Sequence, residues 1–350
     1  MAAWLPLAFR SSPSFFSTVA PWAETAALPA RSPLAMPANF GNSFWIHQFT
    51  AVGPKNFKKI CIITELCVPV PWGEIRGKVW GPDHGHPVLC LHGWADNCGT
   101  FNTLLPLLPK DFRYVAMDLA GHGCSSHRPP GVLYAFPSYV MDVRRVVDGG
   151  NIAGMFCALY PEMVDALVLL DSYGFLPTDP KEMPKVLREG LDEMIEFEKK
   201  MGEKKTRLYT YEKAVERLLA GNPSLSEESA KILLERGLVK VEGGVLFSRD
   251  FRINLRNVAR ISLEQSLELQ SRIEAPVLVV LAESGFEKMF TEPDQKKYTS
   301  ALLQAFRDRR NTVVQVPGNH HVHLNDPEVV APLVSEFLQN KALSASTGLC

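Results

Sequence analysis

An α/β fold, with a mostly parallel sheet covered by helices on both faces, is predicted by three observations. Short, nearly continuous apolar runs recur at residues 88–91, 114–117, 166–170, 277–281 and 312–316. Strands buried on both faces read this way. Helix-length segments separate most of them, at 100–108, 137–147, 152–160, 294–309 and 327–339, and such alternation implies right-handed crossovers. The chain has 350 residues, 46% hydrophobic and 21% charged, enough for one large core with a smaller lid.

Residues 1–60 differ in kind from the rest, being rich in Pro, Ser and Ala, with Arg10 and Arg31 and the single acid Glu24. Arg- and Ser-rich, acid-poor composition is that of a mitochondrial leader. The six prolines between Pro6 and Pro37 would interrupt the amphipathic helix a leader needs, so a disordered extension is the expectation. The first part of the core spans 61–177. It opens with a hairpin at a sheet edge, 66–70 and 74–80, joined by Pro71-Trp72-Gly73. Residues 178–270 break the alternation and are expected to form an inserted helical lid. Met183, Leu187, Leu191, Met194 and Ile195 fall on one stripe there, and Ser224 with Glu227 reads as a capping box. The core resumes over 271–340, and 341–350 form a tail.

Thirty-seven basic residues balance 38 acidic ones for a net charge of −1, and no long basic run marks a nucleic-acid partner. No run of about 18 apolar residues supplies a membrane span. Seven scattered cysteines without a CxxC pair suggest reduced thiols and a cytoplasmic protein. The C-terminal Ser346-Thr347-Gly348-Leu349-Cys350 is neither a prenylation box nor an SKL ending; vesicle or peroxisome association and oligomeric state stay open.

Two strand ends carry chemistry. Leu91-His92-Gly93-Trp94 closes the first buried strand, where a glycine allows a sharp turn that aims the Trp94 N–H at a developing oxyanion. Asp118-Leu119-Ala120-Gly121-His122-Gly123-Cys124-Ser125 closes the second, at the edge where open α/β sheets bind ligands.

These stretches resemble the HG and D-x-x-G-x-G-x-S elements of the α/β-hydrolase superfamily. The helix-then-strand of Tyr160-Pro161-Glu162-Met163-Val164 and Leu167-Val168-Leu169-Leu170-Asp171, and the segment Val316-Pro317-Gly318-Asn319-His320-His321-Val322-His323-Leu324, are similar to later parts of the same fold. Within the superfamily, Val70-Pro71-Trp72-Gly73 and Gly121-His122-Gly123-Cys124-Ser125-Ser126-His127 look most like the serine hydrolase-like group. The resemblance implies His320 as general base. It places the triad acid after the strand at 277–281, where Ala282-Glu283-Ser284-Gly285 departs from the pattern. Glu283 and Asp171 both stand as candidates. It implies no cofactor. A metal at His320, His321 and His323 is not expected, because neighbouring loop histidines diverge and no carboxylate or cysteine motif accompanies them.

The superfamily's nucleophile sits on a G-x-S-x-G elbow between strand and helix, and the chain contains no such motif. Gly149-Gly150-Asn151-Ile152-Ala153-Gly154 resembles the start of the helix after the elbow, which aligns Val147 with the serine and leaves Gly149 and Gly150 as the elbow remnant. No apolar strand precedes these glycines. A missing segment of roughly 15 residues, holding a loop, a strand and the elbow, accounts for the gap, whether by an isoform with a deletion or a gene-model error. Ser125, Ser126, Cys124 and Ser172 lie near strand ends without an elbow and read as turn or core residues. Each buried backbone group left unsatisfied costs about 1–3 kcal/mol, so the two flanking strands are expected to close on each other, or the chain to fold poorly.

The functional expectation is hydrolysis of a small ester or related acyl compound by descent, absent or impaired in this chain. The first alternative is a pseudoenzyme that binds a small apolar ligand or a protein. The second is a dehalogenase or epoxide hydrolase using Asp148.

Overall fold

A computed structural model of the chain describes residues 7–8, 63–146, 153–201, 207–289 and 293–342. Among them the strands are β1 (Leu7–Ala8), β2 (Ile63–Val70), β3 (Gly73–Trp80), β4 (His86–Leu91) and β5 (Phe112–Met117). Helices α1 (Phe136–Val146) and α2 (Ala153–Leu159) follow, then β6 (Ala166–Leu170). Next come α3 (Met183–Met201), α4 (Tyr211–Gly221), α5 (Glu227–Gly237), the hairpin of β7 (Leu238–Val241) and β8 (Gly244–Phe247), and α6 (Leu263–Ser271). The chain continues through β9 (Val277–Ser284), α7 (Pro293–Asp308), β10 (Thr312–Asn319), α8 (Val322–Asn325) and α9 (Pro327–Phe337).

Eight strands form one sheet in the order β10-β9-β6-β1-β4-β5-β3-β2. The pairs β10/β9, β9/β6 and β4/β5 are parallel, whereas β2/β3 and β3/β5 are antiparallel. This is the α/β-hydrolase architecture, with its hairpin at one edge. The apolar runs are strands because successive side chains feed two cores. Leu89 and Leu91 of β4, Leu167 and Leu169 of β6, and Val277 and Val279 of β9 pack with Val143, Phe156, Leu302 and Phe306 of α1, α2 and α7. The alternate residues Val88, Cys90, Val168, Leu278 and Val280 pack with Phe101, Leu104, Val330 and Val334 on the other face. Period-two alternation of this kind is the geometry of a strand.

Several elements differ from expectation. Residues 100–108 form no α-helix; two 3-10 turns, Cys98–Phe101 and Leu105–Leu107, stand there, since Pro106 and Pro109 withhold donors a longer helix needs. The N-cap of α5 is Ser226, whose hydroxyl accepts from the Ser229 N–H at 3.0 Å; Ser224 is spent elsewhere, as shown below. Within 178–270 the β7/β8 hairpin was not anticipated. The α3 stripe also faces outward: Leu187, Leu191 and Ile195 are exposed and only Met194 is buried.

The largest difference lies at the centre of the sheet. β4 and β6 do not close on each other. Leu7–Ala8 stands between them, antiparallel to both, with Leu7 opposite Leu89 and Leu167, and Ala8 opposite Val88 and Ala166. Two residues of the segment expected to lie outside the fold are therefore part of the sheet.

Candidate active site

Every functional side chain singled out from the sequence, where described, lies at or beyond the carboxyl end of a strand, the edge at which such sheets bind ligands. The loop after β4 holds His92, Gly93 and Trp94. His92 is buried, its Nε2 accepts from the Leu119 N–H at 2.9 Å, and its Nδ1 lies 2.7 Å from the Gly93 carbonyl. An acceptor role at Nε2 fixes the proton on Nδ1, so the ring is a neutral clamp between the two loops. Burial is the main cause that pushes its pKa down. Ala95 has φ +68°, the left-handed turn that reverses the loop, and its N–H reaches His122 Nε2 at 3.3 Å. His92 is therefore structural, and Trp94 is half-buried beside it, its ring 6.5 Å from that of His122.

The motif after β5 is a folding device. Both oxygens of Asp118 are occupied: Oδ1 accepts from the Cys98 N–H at 2.8 Å, and Oδ2 from the Cys124 N–H and Arg236 Nε at 2.9 Å each. Gly123, at φ +52°, passes where a Cβ would strike this carboxylate, which is why the position needs glycine. Ser125 Oγ donates to the Asp118 carbonyl at 2.6 Å and accepts from the Arg76 N–H, and Ser126 Oγ accepts from the Glu74 N–H. Cys124 is exposed in this turn, its N–H held by the Asp118 carboxylate. Ser172 is fully buried, its Oγ 3.4 Å from the Gly174 N–H. The strand-end serines and cysteine are thus turn and core residues.

Of the two candidate carboxylates, Asp171 is the one in contact with His320. Asp171, at φ +44° directly after β6, extends its carboxylate across the end of β9. Oδ1 accepts from the Ala282 N–H at 2.9 Å and Oδ2 from the Phe286 N–H at 2.6 Å. Oδ2 also meets His320 Nδ1 at 2.7 Å. Glu283 is exposed on β9. The sequence brings Asp171 and His320 together from 149 residues apart, and the bond to a carboxylate places the imidazole proton on Nδ1 and leaves Nε2 as the basic nitrogen. The Phe286 ring packs 5.4 Å from the His320 ring, and His320 is 7% exposed.

The three histidines of the loop point to three different partners. His321 Nδ1 lies 2.8 Å from Ser224 Oγ of the lid, and His323 Nε2 lies 2.9 Å from Thr100 Oγ1. Burial, and then neighbouring His320, push His321 down to about 3. Residues 178–270 are tied to the sheet edge by further contacts that sequence reasoning missed. Arg236 of α5 lies 2.9 Å from Asp118 and 2.7 Å from Glu65, Arg249 Nη1 donates to the Ala95 carbonyl at 2.9 Å, and Asn97 Nδ2 to the Leu233 carbonyl at 2.8 Å. These partners are far apart in the chain and leave no local pattern. Val147, Asp148, Gly149 and Gly150 lie outside the described residues. Among the described residues, α1 is followed by α2 with no strand between.

Comparison with known proteins agrees with this fold. Residues 88–333 match the family described as the alpha/beta hydrolase family. A serine hydrolase-like protein of Danio rerio is 54% identical over 290 residues, covering 79% of this chain and 88% of its own. Serine hydrolase-like protein 2 of Homo sapiens is 38% identical, covering 79% of this chain and 95% of its own. The crystal structure of a hypothetical protein from Pseudomonas aeruginosa PAO1 superposes with a TM-score of 0.68 at 32% identity, covering 79% of this chain and 99% of its own. The chain belongs to the alpha/beta-hydrolase family, in the company of the serine hydrolase-like proteins.

Proposed function

We propose that this chain is a catalytically silent serine hydrolase-like protein: it keeps the base and acid of an acyl hydrolase and lacks the nucleophile. The observation that supports this reading is the His320–Asp171 pair, held at 2.7 Å in a chain without a G-x-S-x-G motif. In an intact member of such a family, a serine would attack the acyl carbon, His320 would take its proton through Nε2, and Asp171 would hold the ring and stabilise the imidazolium. Here the serines and the cysteine considered as substitutes are engaged in turns or buried. Binding is the role left to the scaffold, since the lid remains anchored over the strand ends by Arg236 and Arg249. An apolar small molecule or a protein segment is the expected occupant.

The test is fluorophosphonate labelling together with p-nitrophenyl butyrate turnover, measured beside His320→Ala. The expected result is no labelled serine and turnover equal to that of His320→Ala. Saturable quenching of tryptophan fluorescence by the ester without release of nitrophenol supports the binding role. Stoichiometric labelling with turnover that depends on His320 overturns the reading, and turnover lost in Asp148→Asn would move it to a dehalogenase or epoxide hydrolase.

A further inference from the structure

One position in the sheet is filled from an unexpected part of the chain. Between β5 and β6 the described residues hold α1 and α2 and no strand, yet β4 and β6 are separated by Leu7–Ala8. All five residues of β6 and the last four of β4 are buried. Backbone N–H and C=O groups on their facing edges therefore need a protein partner. β4, β5, β6, β9 and β10 share one direction, as a strand delivered by a helical crossover does. Leu7–Ala8 runs the opposite way against both neighbours, which marks it as a substitute rather than a remnant of a crossover strand.

We propose that the gap between β4 and β6 is a strand-accepting site whose occupant is this chain's own N-terminal segment centred on Leu7–Ala8. Recognition is by strand addition, with main-chain hydrogen bonds supplying the attraction. The chemistry of the segment suits a central position. Leu7 and Ala8 are both apolar, as residues of a strand between two buried neighbours are.

The occupant does two things. It holds β4 and β6 two strand spacings apart, roughly 9–10 Å, and so keeps the His92-Gly93-Trp94 loop and Asp171 in the frame of an open site. Its direction also denies that frame a nucleophile. An elbow follows the carboxyl end of a strand, and β1 presents its amino end to the edge where His320 and Asp171 lie.

Paired cysteines in the full-length chain test the proposal. Directly opposed residues of antiparallel strands have Cβ atoms about 4.5–5.5 Å apart, close enough for a disulfide after slight adjustment. Ala8→Cys with Ala166→Cys tests the β6 edge, and Leu7→Cys with Leu89→Cys tests the β4 edge, so a folding defect in one pair leaves the other informative. Ala8→Cys with Leu170→Cys is the control, displaced by four residues or roughly 13 Å along the strand. After copper-phenanthroline oxidation and mapping by mass spectrometry, which separates the new bonds from native thiols, the expected result is an intramolecular 8–166 or 7–89 disulfide in monomeric protein. Its yield should exceed that of the 8–170 pair at least tenfold. Yields no higher than the control overturn the proposal, as do cross-links found only between two chains, which would make a second copy the occupant.

Discussion

The carboxylate of Asp171 fills the space that a side chain at position 285 would need. A Cβ built on Gly285 falls against Oδ1 and Oδ2 of Asp171. The two positions are thus alternatives: with the Asp171 carboxylate lying here, the residue after β9 has to be glycine. Gly285→Ala should push the carboxylate off the Ala282 and Phe286 N–H groups and cost about 2–3 kcal/mol, the range for overpacking with loss of charge-assisted hydrogen bonds. Urea unfolding measures this. Gly221→Ala, at the end of α4 with nothing near its Cβ position, is the control and should be neutral or raise stability by about 0.5–1 kcal/mol.

Asp171→Asn isolates the charge, because asparagine tolerates the left-handed φ of this position. Its amide oxygen can accept from one of the two backbone donors, and its NH2 group faces the other. A loss of about 1–3 kcal/mol is expected. Nitrogen-15 NMR of His320 should show the proton leaving Nδ1 for Nε2, and an unchanged tautomer would mean that Asp171 does not orient the ring.

Asp118 and Arg236 are 0% and 6% exposed in their side chains, and removal of one partner strands the other. Asp118→Ala should cost about 3–5 kcal/mol. Adding Arg236→Met should recover part of this, leaving the deficit of the Cys98 and Cys124 N–H groups. Denaturation of the single and double variants gives the coupling, and simple additivity of the two losses would contradict a direct pair.

Acid sensitivity follows from the buried histidines. Burial is the first cause that depresses His92, His122, His321 and His323, with His321 down to about 3. Unfolded, each titrates from 6.5, so below that pH the unfolded chain binds protons the native state refuses. Stability is full above about pH 6.5 and falls as pH falls, for His321 down to about 3, by up to about 1.4 kcal/mol per pH unit for each histidine. Urea midpoints at pH 7.5 and 5.5 should differ strongly, and His321→Gln should flatten the dependence.

By itself, the sequence determined the long buried strands and most of the crossover helices, though not a helix at 100–108, because burial on two faces and helical spacing are local patterns written residue by residue. It also determined the absence of the elbow, since a motif is either spelled out or not. The place of His320 at a strand end was legible. That Asp171, and not Glu283, meets His320 was not, because β6 and β9 become neighbours only in the sheet. The role of Ser224 was misread for a related reason: its partner, His321, lies 97 residues away, while the capping pattern beside it is local. The fate of the central gap was the least legible of all. A two-residue strand has no periodicity to read, and Leu7–Ala8 is a strand because buried edges on β4 and β6 require hydrogen-bond partners that only the assembled sheet presents.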